Sequence, residues 1–247
     1  YKRVGGIVSD GRLAGLIDWD AIEDRGRVVD VPSEWDNLQS LAKGALRAYR
    51  LPRWAGQEYY VELWVEKQAL AGVLEPLASE AHVPLMVNKG YSSQSSMYAS
   101  AERFNEHPEQ EKVLLYLGDH DPSGEDMVRD VRDRLEMFGV TLNVIKVALT
   151  TEQVRKYNPP PNPAKMSDSR AAAYVLKHGR SSWEVDALPP DKLGSIIKGY
   201  FKQFIDYELM RQVTDREMLD KEALETALED LPNATEFIGE LDARRGE

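Results

Sequence analysis

Two short segments of this 247-residue chain gather residue types able to do chemistry. The first is Val65-Glu66-Lys67, where a carboxylate closes an apolar run. The second is Gly118-Asp119-His120-Asp121-Pro122-Ser123-Gly124, where two carboxylates close another. Brought together, Glu66, Asp119 and Asp121 would repel one another and raise each other's pKa unless a cation neutralises them. A hard divalent ion answers that need. Magnesium, with manganese as its substitute, takes a few carboxylates, keeps waters and bridges phosphate oxygens. The chain has no cysteine and 4 scattered histidines, His82, His107, His120 and His178, which argues against a soft-metal site. The expected substrate is then a phosphodiester or a nucleotide. A plainer reading competes at each position. Asp121 before Pro122 is also a good helix start, with Asp as N-cap and Pro in the first turn. Glu66 alone would pass for an ordinary residue at a strand end.

The flanking pattern decides how these residues are held. Tyr59 to Val65 is an apolar, β-rich run, followed by a helical pattern from about Lys67 to Ala81. Pro84 to Val87 reads as a second strand, Ser95 to Phe104 as a helix, and Val113 to Leu117 as a third strand. Gly124 to Phe138 reads as a helix and Val144 to Leu149 as a fourth strand. This alternation predicts an α/β fold, a parallel sheet with helices on both faces. In such a sheet ligands bind beyond the carboxyl ends of the strands, where both acidic segments fall. Further on, Asn158-Pro159-Pro160-Pro161-Asn162-Pro163 ends one element sharply. Ser169 to His178 is expected to be helical, Trp183 to Leu188 to form a fifth strand, and Asp191 to Tyr207 a helix. Residues 206–247 carry 13 acidic and 5 basic residues and read as a solvated helical tail. Residues 1–55 read as a small helical or winged unit.

Composition narrows the classes. The 31 Lys and Arg against 42 Asp and Glu give a net charge of −11, against a generally basic nucleic-acid coat but compatible with a local DNA patch. Absent cysteine removes disulfides, thiolate-held zinc, iron–sulfur clusters and a thiol nucleophile. A reducing compartment is permitted, and a cytoplasmic location is the expectation. No apolar stretch is long enough for a bilayer span, and no basic-then-apolar leader opens the chain. Because it opens at Tyr1 inside a helical pattern, the translated molecule is expected to continue upstream.

The order of Val65-Glu66-Lys67, Gly118 to Gly124 and Trp183-Glu184-Val185-Asp186-Ala187-Leu188-Pro189 resembles the Toprim domain of topoisomerases, primases and related nucleases. Its Asp-Pro-Ser-Gly form is closest to the branch of the topoisomerase VI A subunit and its meiotic relatives, and closer still to bacterial and phage-encoded members. The resemblance covers roughly residues 59–190 and includes Gly90-Tyr91-Ser92-Ser93-Gln94-Ser95 and Pro160-Pro161-Asn162-Pro163-Ala164-Lys165. It implies that Glu66 is a metal ligand and general acid or base, and that Asp119 and Asp121 hold magnesium. Asp186, with Glu184, falls where that branch has acids near the metal. Trp183 and Leu188 are expected in the core. The branch carries its nucleophilic tyrosine in an upstream winged-helix domain, so residues 1–55, with Arg3, Arg12, Arg25 and Arg27, look like the remainder of one. The implied divisions are a partial winged-helix segment to 55, a Toprim domain over 56–190 and a helical region over 191–247. The branch is often dimeric.

Cations and hydroxyls around the acids are the expected DNA contacts: Lys67, Lys89, Ser93, Gln94, Lys165 and Arg170, besides Arg3 and Arg12. The Gly90-Tyr91-Ser92-Ser93 turn would offer backbone N–H groups to a phosphate at a helix start. His120, between two carboxylates, is expected on the opposite face as a packing or supporting residue. Tyr59 and Tyr60, on the first strand, are expected to be structural. The leading expectation is a magnesium-dependent DNA nuclease. The alternatives are the cleaving subunit of a topoisomerase VI-like system with its tyrosine upstream, and a non-catalytic, metal-stabilised DNA-binding module. A primase fits less well, because the usual zinc module needs cysteines.

Overall fold

The computed structural model describes residues 2–18, Ala21, 32–87 and 93–229. The chain divides into two compact units, residues 1–48 with 226–247, and residues 49–225. In the first unit, helices α1 (Lys2–Leu13) and α2 (Leu38–Ala48) are described. Asn37 starts α2 by accepting the Ser40 N–H at 2.8 Å, and Gly44 lies so close to the Trp35 indole that a Cβ there would collide with it. No strand occurs among the described residues of 1–48. The winged-helix expectation falls in part on 19–20 and 22–31, including Arg25 and Arg27, which lie outside the described residues.

The second unit is built on four parallel strands, β1 (Tyr59–Val65), β2 (Leu85–Val87), β3 (Glu111–Leu117) and β4 (Asn143–Ala148), in the order β2-β1-β3-β4. β1 and β3 run in register from Tyr59 opposite Glu111 to Val65 opposite Leu117. Both central strands are buried on both faces, which explains their nearly continuous apolar sequences. Val61, Leu63 and Val65 pack with α3 (Ala71–Glu80) and α8 (Pro190–Phe204), through Leu74, Ala78, Leu193, Ile197 and Phe201. Tyr60 and Trp64 point the other way, to α4 (Gln94–Asn105) and α5 (Pro122–Glu136), through Met97, Phe104, Met127, Val131 and Leu135. The four-residue spacings on α5 and α8 provide the apolar stripe each helix needs to lie on the sheet.

Within the run Tyr59 to Val65, Glu62 is wholly buried. Its carboxylate accepts from Tyr60 Oη (3.1 Å), Trp64 Nε1 (2.8 Å) and two nitrogens of Arg103 (3.0 Å each), so the charge enters the sheet already paired. The expected fifth strand at Trp183–Leu188 does not form. Ser181–Ser182 (β6) pairs antiparallel with Asn162–Pro163 (β5), Trp183 makes a single bridge with His120, and Val185–Ala187 is a turn of 3-10 helix. The Val185 N–H donates to Asp119 at 2.8 Å, and Pro189 and Pro190 follow, so the segment cannot supply a strand ladder.

A short helix, α6 (Thr151–Tyr157), follows β4. It opens on a capping box between Thr150 and Gln153 and ends at Asn158 in the left-handed conformation, φ 46°. α7 (Ala171–His178) and α8 take up the helical patterns read downstream. The last described element, α9 (Tyr207–Glu229), is helical as expected but not merely solvated. Its Glu217 is buried, pairs with Arg53 at 2.6 Å and accepts the Leu51 N–H at 2.9 Å. Residues 230–247 of the expected tail lie outside the described residues. Among the described residues no helix is long and apolar enough to cross a membrane.

Candidate functional site

The chain leaves β1 for β2 on one side and later returns to β3 on the other, so the connections that follow β1 and β3 leave their carboxyl ends in opposite directions. That divergence is the usual ligand crevice of an open parallel sheet. Glu66 and the Gly118–Gly124 loop both open from it. The Asp119 N–H points at Glu66 Oε2, 3.4 Å away, and the Tyr116 hydroxyl stands 3.5 Å from the same oxygen. Gly118 is required here: a Cβ would lie 2.9 Å from Glu66 Oε2 and 2.6 Å from the Tyr116 ring. Gly124 is equally constrained, since a Cβ there would strike the Asp119 carbonyl oxygen.

Each of the three acids has one oxygen occupied by the protein. Asp119 Oδ1 accepts the Val185 N–H at 2.8 Å and lies 3.4 Å from Lys67 Nζ. Asp121 Oδ1 accepts the Gly124 N–H at 2.6 Å and the Ser123 hydroxyl at 2.9 Å, so Asp121 is indeed the cap of α5. Glu66 Oε2 faces Asp119 N and Tyr116. The second oxygens, Glu66 Oε1, Asp119 Oδ2 and Asp121 Oδ2, have no hydrogen-bond donor among the described residues. Burial, and then the charges of Asp119 and Asp121, raise the Glu66 pKa. Burial likewise raises that of Asp119, against the opposing pull of Val185 N–H and Lys67.

The donor set is oxygen only and strongly negative, the donor chemistry that hard divalent cations take. The three carboxylates stand at one sheet end without converging on a single point: among the described residues no three acidic or histidine side chains form a cage around one position. Asp186, the fourth acid, meets Asp119 through Lys67, whose ammonium contacts Asp186 at 2.9 Å and Glu184 at 2.7 Å. Burial works against the Lys67 charge, but its bonds to Glu184 and Asp186 prevail and raise its pKa.

In front of Asp119 and Asp121 lies a cleft of about 350 Å³, walled by Asn162, Lys165, Ser182 and Glu184. Lys165, exposed, lines the same cleft as Asp119 and Asp121. The remaining expected contacts are distributed differently. Arg170 forms an ion pair with Asp126 at 2.7 Å and with Asp168 at 3.3 Å. Ser93 caps α4 by accepting the Ser96 N–H, and Gln94 is exposed on its first turn. Lys89 and residues 88–92, with most of the glycine-tyrosine turn, lie outside the described residues. Arg3 and Arg12 belong to α1 in the other unit, and the Arg3 side chain is outside the described residues. Tyr60 is buried on Glu62, and Tyr59 and Tyr60 stand at the opposite end of β1 from the acids.

Behind the loop is a polar network that sequence reading missed. Lys146 of β4 donates to the Asp119 carbonyl (2.7 Å) and the Gly124 carbonyl (3.3 Å), and pairs with Glu125 (2.6 Å). It ties both ends of the acidic loop to the sheet. His120 is buried on the face away from the cleft. Its Nδ1 lies 2.9 Å from the Tyr174 hydroxyl and its Nε2 2.9 Å from Thr151 Oγ1, which matches a supporting role. The available signal was Lys146 itself, a charge inside the otherwise apolar run Val144 to Ala148. Compared with known families and curated proteins, the chain matches no family model and no curated protein.

Proposed function

We propose that the chain is a Toprim-type, magnesium-dependent DNA nuclease, with Glu66, Asp119, Asp121 and Asp186 as the residues that hold the ion. The observation that carries this reading is the set of three carboxylates at the β1/β3 divergence, each with one oxygen fixed by the protein and one left without a donor. A divalent cation bound there supplies Lewis-acid polarisation of the phosphodiester and stabilises the leaving oxygen. The chain's own residues do the rest. Lys165 on the cleft wall positions a phosphate oxygen by charge. Glu66, whose proton affinity is raised by burial and by Asp119 and Asp121, takes the proton of the attacking water at Oε1. Lys146 holds the loop that carries Asp119 and Asp121 against the sheet.

The test is nicking of supercoiled plasmid with Mg²⁺ or Mn²⁺. Wild-type protein is expected to nick, and Glu66→Gln to do so about 10²–10⁴-fold more slowly, the usual worth of a general base. Equal rates for the two would remove Glu66 from the chemistry. A topoisomerase VI-like reading, in which a winged-helix tyrosine upstream of Tyr1 attacks DNA, is favoured by the resemblance around Asp121 and Trp183. It predicts covalent attachment of a longer polypeptide to a DNA 5′ end and no cleavage by residues 1–247. DNA binding without cleavage by either polypeptide, under any metal, would leave the metal-stabilised binding module.

A further inference from the structure

Beside the acidic cleft the charge balance reverses. Residues 151–180 hold 6 Lys or Arg against 2 Asp or Glu, in a chain whose net charge is −11. Of the six, Arg170 is committed to Asp126 and Asp168, and Lys156 lies over the Tyr157 ring, 5.2 Å from its centroid. The other four, Arg155, Lys165, Lys177 and Arg180, are exposed, and no carboxylate among the described residues forms an ion pair with them. Other helices neutralise their cations locally. Arg129, Arg211 and Arg216 each meet an acid three or four residues away, at 2.6–2.9 Å. The fold sets the four unneutralised cations on adjoining segments. Lys165 lines the cleft with Asp119 and Asp121. Its neighbour Ala164 donates its N–H to the Arg180 carbonyl at 2.8 Å, which carries the β5–β6 pairing one residue further. Lys177 is in the last turn of α7, three residues before Arg180. Thr151 Oγ1 lies 3.4 Å from His178 Nδ1, and Arg155, one turn along α6, shares that side of its helix.

We propose that Lys165, Arg180, Lys177 and Arg155 form a basic strip that takes the phosphodiester backbone of duplex DNA where it leaves the cleft. The inference rests on the nuclease reading for the identity of the polyanion, and adds to it the track on which the polymer lies. A strip of this kind binds by releasing the counterions condensed on DNA, so its contribution is independent of sequence and falls with salt. Long, solvated stems of Lys and Arg suit contacts that position a backbone without reading bases. The division of labour follows from charge. The acids of the cleft repel a phosphate until a cation offsets them, whereas the strip lies beside them and holds DNA with or without that cation. Its continuity with the cleft, through Lys165, is what selects a phosphodiester polymer as the occupant.

Fluorescence anisotropy of a labelled DNA duplex, titrated with the full chain in EDTA over a series of KCl concentrations, tests this without cleavage. The triple variant Arg155→Gln, Lys177→Gln, Arg180→Gln is expected to bind more than about tenfold more weakly than wild type at ~0.1 M salt. Its slope of log affinity against log salt is expected to be shallower by roughly 2–3, about 0.9 for each phosphate contact removed. A control variant of equal charge change on α8, Lys192→Gln, Lys198→Gln, Lys202→Gln, is expected to keep the wild-type slope. Equal losses in the two variants would mean that net charge alone matters, and would overturn the strip. So would an unchanged slope in a triple variant whose circular dichroism matches wild type, or a wild-type protein that does not bind the duplex. The two levels of inference separate cleanly. If the triple variant loses slope but wild type nicks no plasmid under Mg²⁺ or Mn²⁺, the strip stands and the nuclease reading falls. If wild type nicks faster than Glu66→Gln while the triple variant binds as wild type does, the nuclease reading stands and the strip falls.

Discussion

Single side chains in this protein carry two duties wherever a charge is buried. Glu62 sits in the middle of the sheet because four donor contacts replace the water it loses, two of them from Arg103. Removing one partner strands the other. Arg103→Ala is expected to lower unfolding stability by about 3 kcal/mol, the low end for a broken buried pair because Arg103 is itself 39% exposed. Urea-induced unfolding measures this, and a loss below about 1 kcal/mol would place the pair with ordinary surface pairs. Asp121 shows the same duality at the site, capping α5 through one oxygen while the residue lines the cleft. At this scale the sequence was partly legible. The residue types of Glu66, Asp119 and Asp121 announce a negative centre, and Asp121-Pro122 announces a helix start. Glu62 was hidden, because a lone acid in an apolar run gives no sign of an arginine 41 positions away.

Elements were more legible where their signals are local. The four strands and the helices at 71–80, 94–105, 122–136 and 190–204 follow apolar spacing, which depends only on neighbours in the chain. The segment after Trp183 was misread as a strand because its fate is set by Asp119, far away in sequence, which captures the Val185 N–H. The acidic balance of residues 206–247 likewise suggested a solvated surface, while Glu217 is sequestered by Arg53 and Leu51 N–H. The Arg53 guanidinium holds the Glu217 carboxyl at about 2, below the value of about 4.3 for a free glutamate. The folded pKa is the lower one, so the stabilisation is complete above pH about 4 and disappears as pH falls towards 2. Acid titration followed by circular dichroism is therefore expected to show loss of structure in that window, with a shallower pH dependence in Glu217→Gln. An identical acid limb in wild type and variant would mean that Glu217 does not anchor α9.

At the scale of the whole molecule, an overall charge of −11 coexists with the proposed affinity for a polyanion. The cleft lining carries one cation, Lys165, against Asp119, Asp121 and Glu184, so on the metal-dependent reading a bound cation would have to offset that charge before a phosphodiester enters. The architecture that presents this cleft rests on two apolar clusters, one on each side of the sheet. Among the described residues none belongs to both. A double variant with one truncation per side, Leu193→Ala with Val131→Ala, is expected to lose the sum of the two single losses to within about 0.5 kcal/mol. A larger departure would show that the strands transmit strain from one layer to the other. The four strands act, in effect, as a bulkhead. Evolutionary drift in the packing of one compartment need not be answered by compensating change in its neighbour.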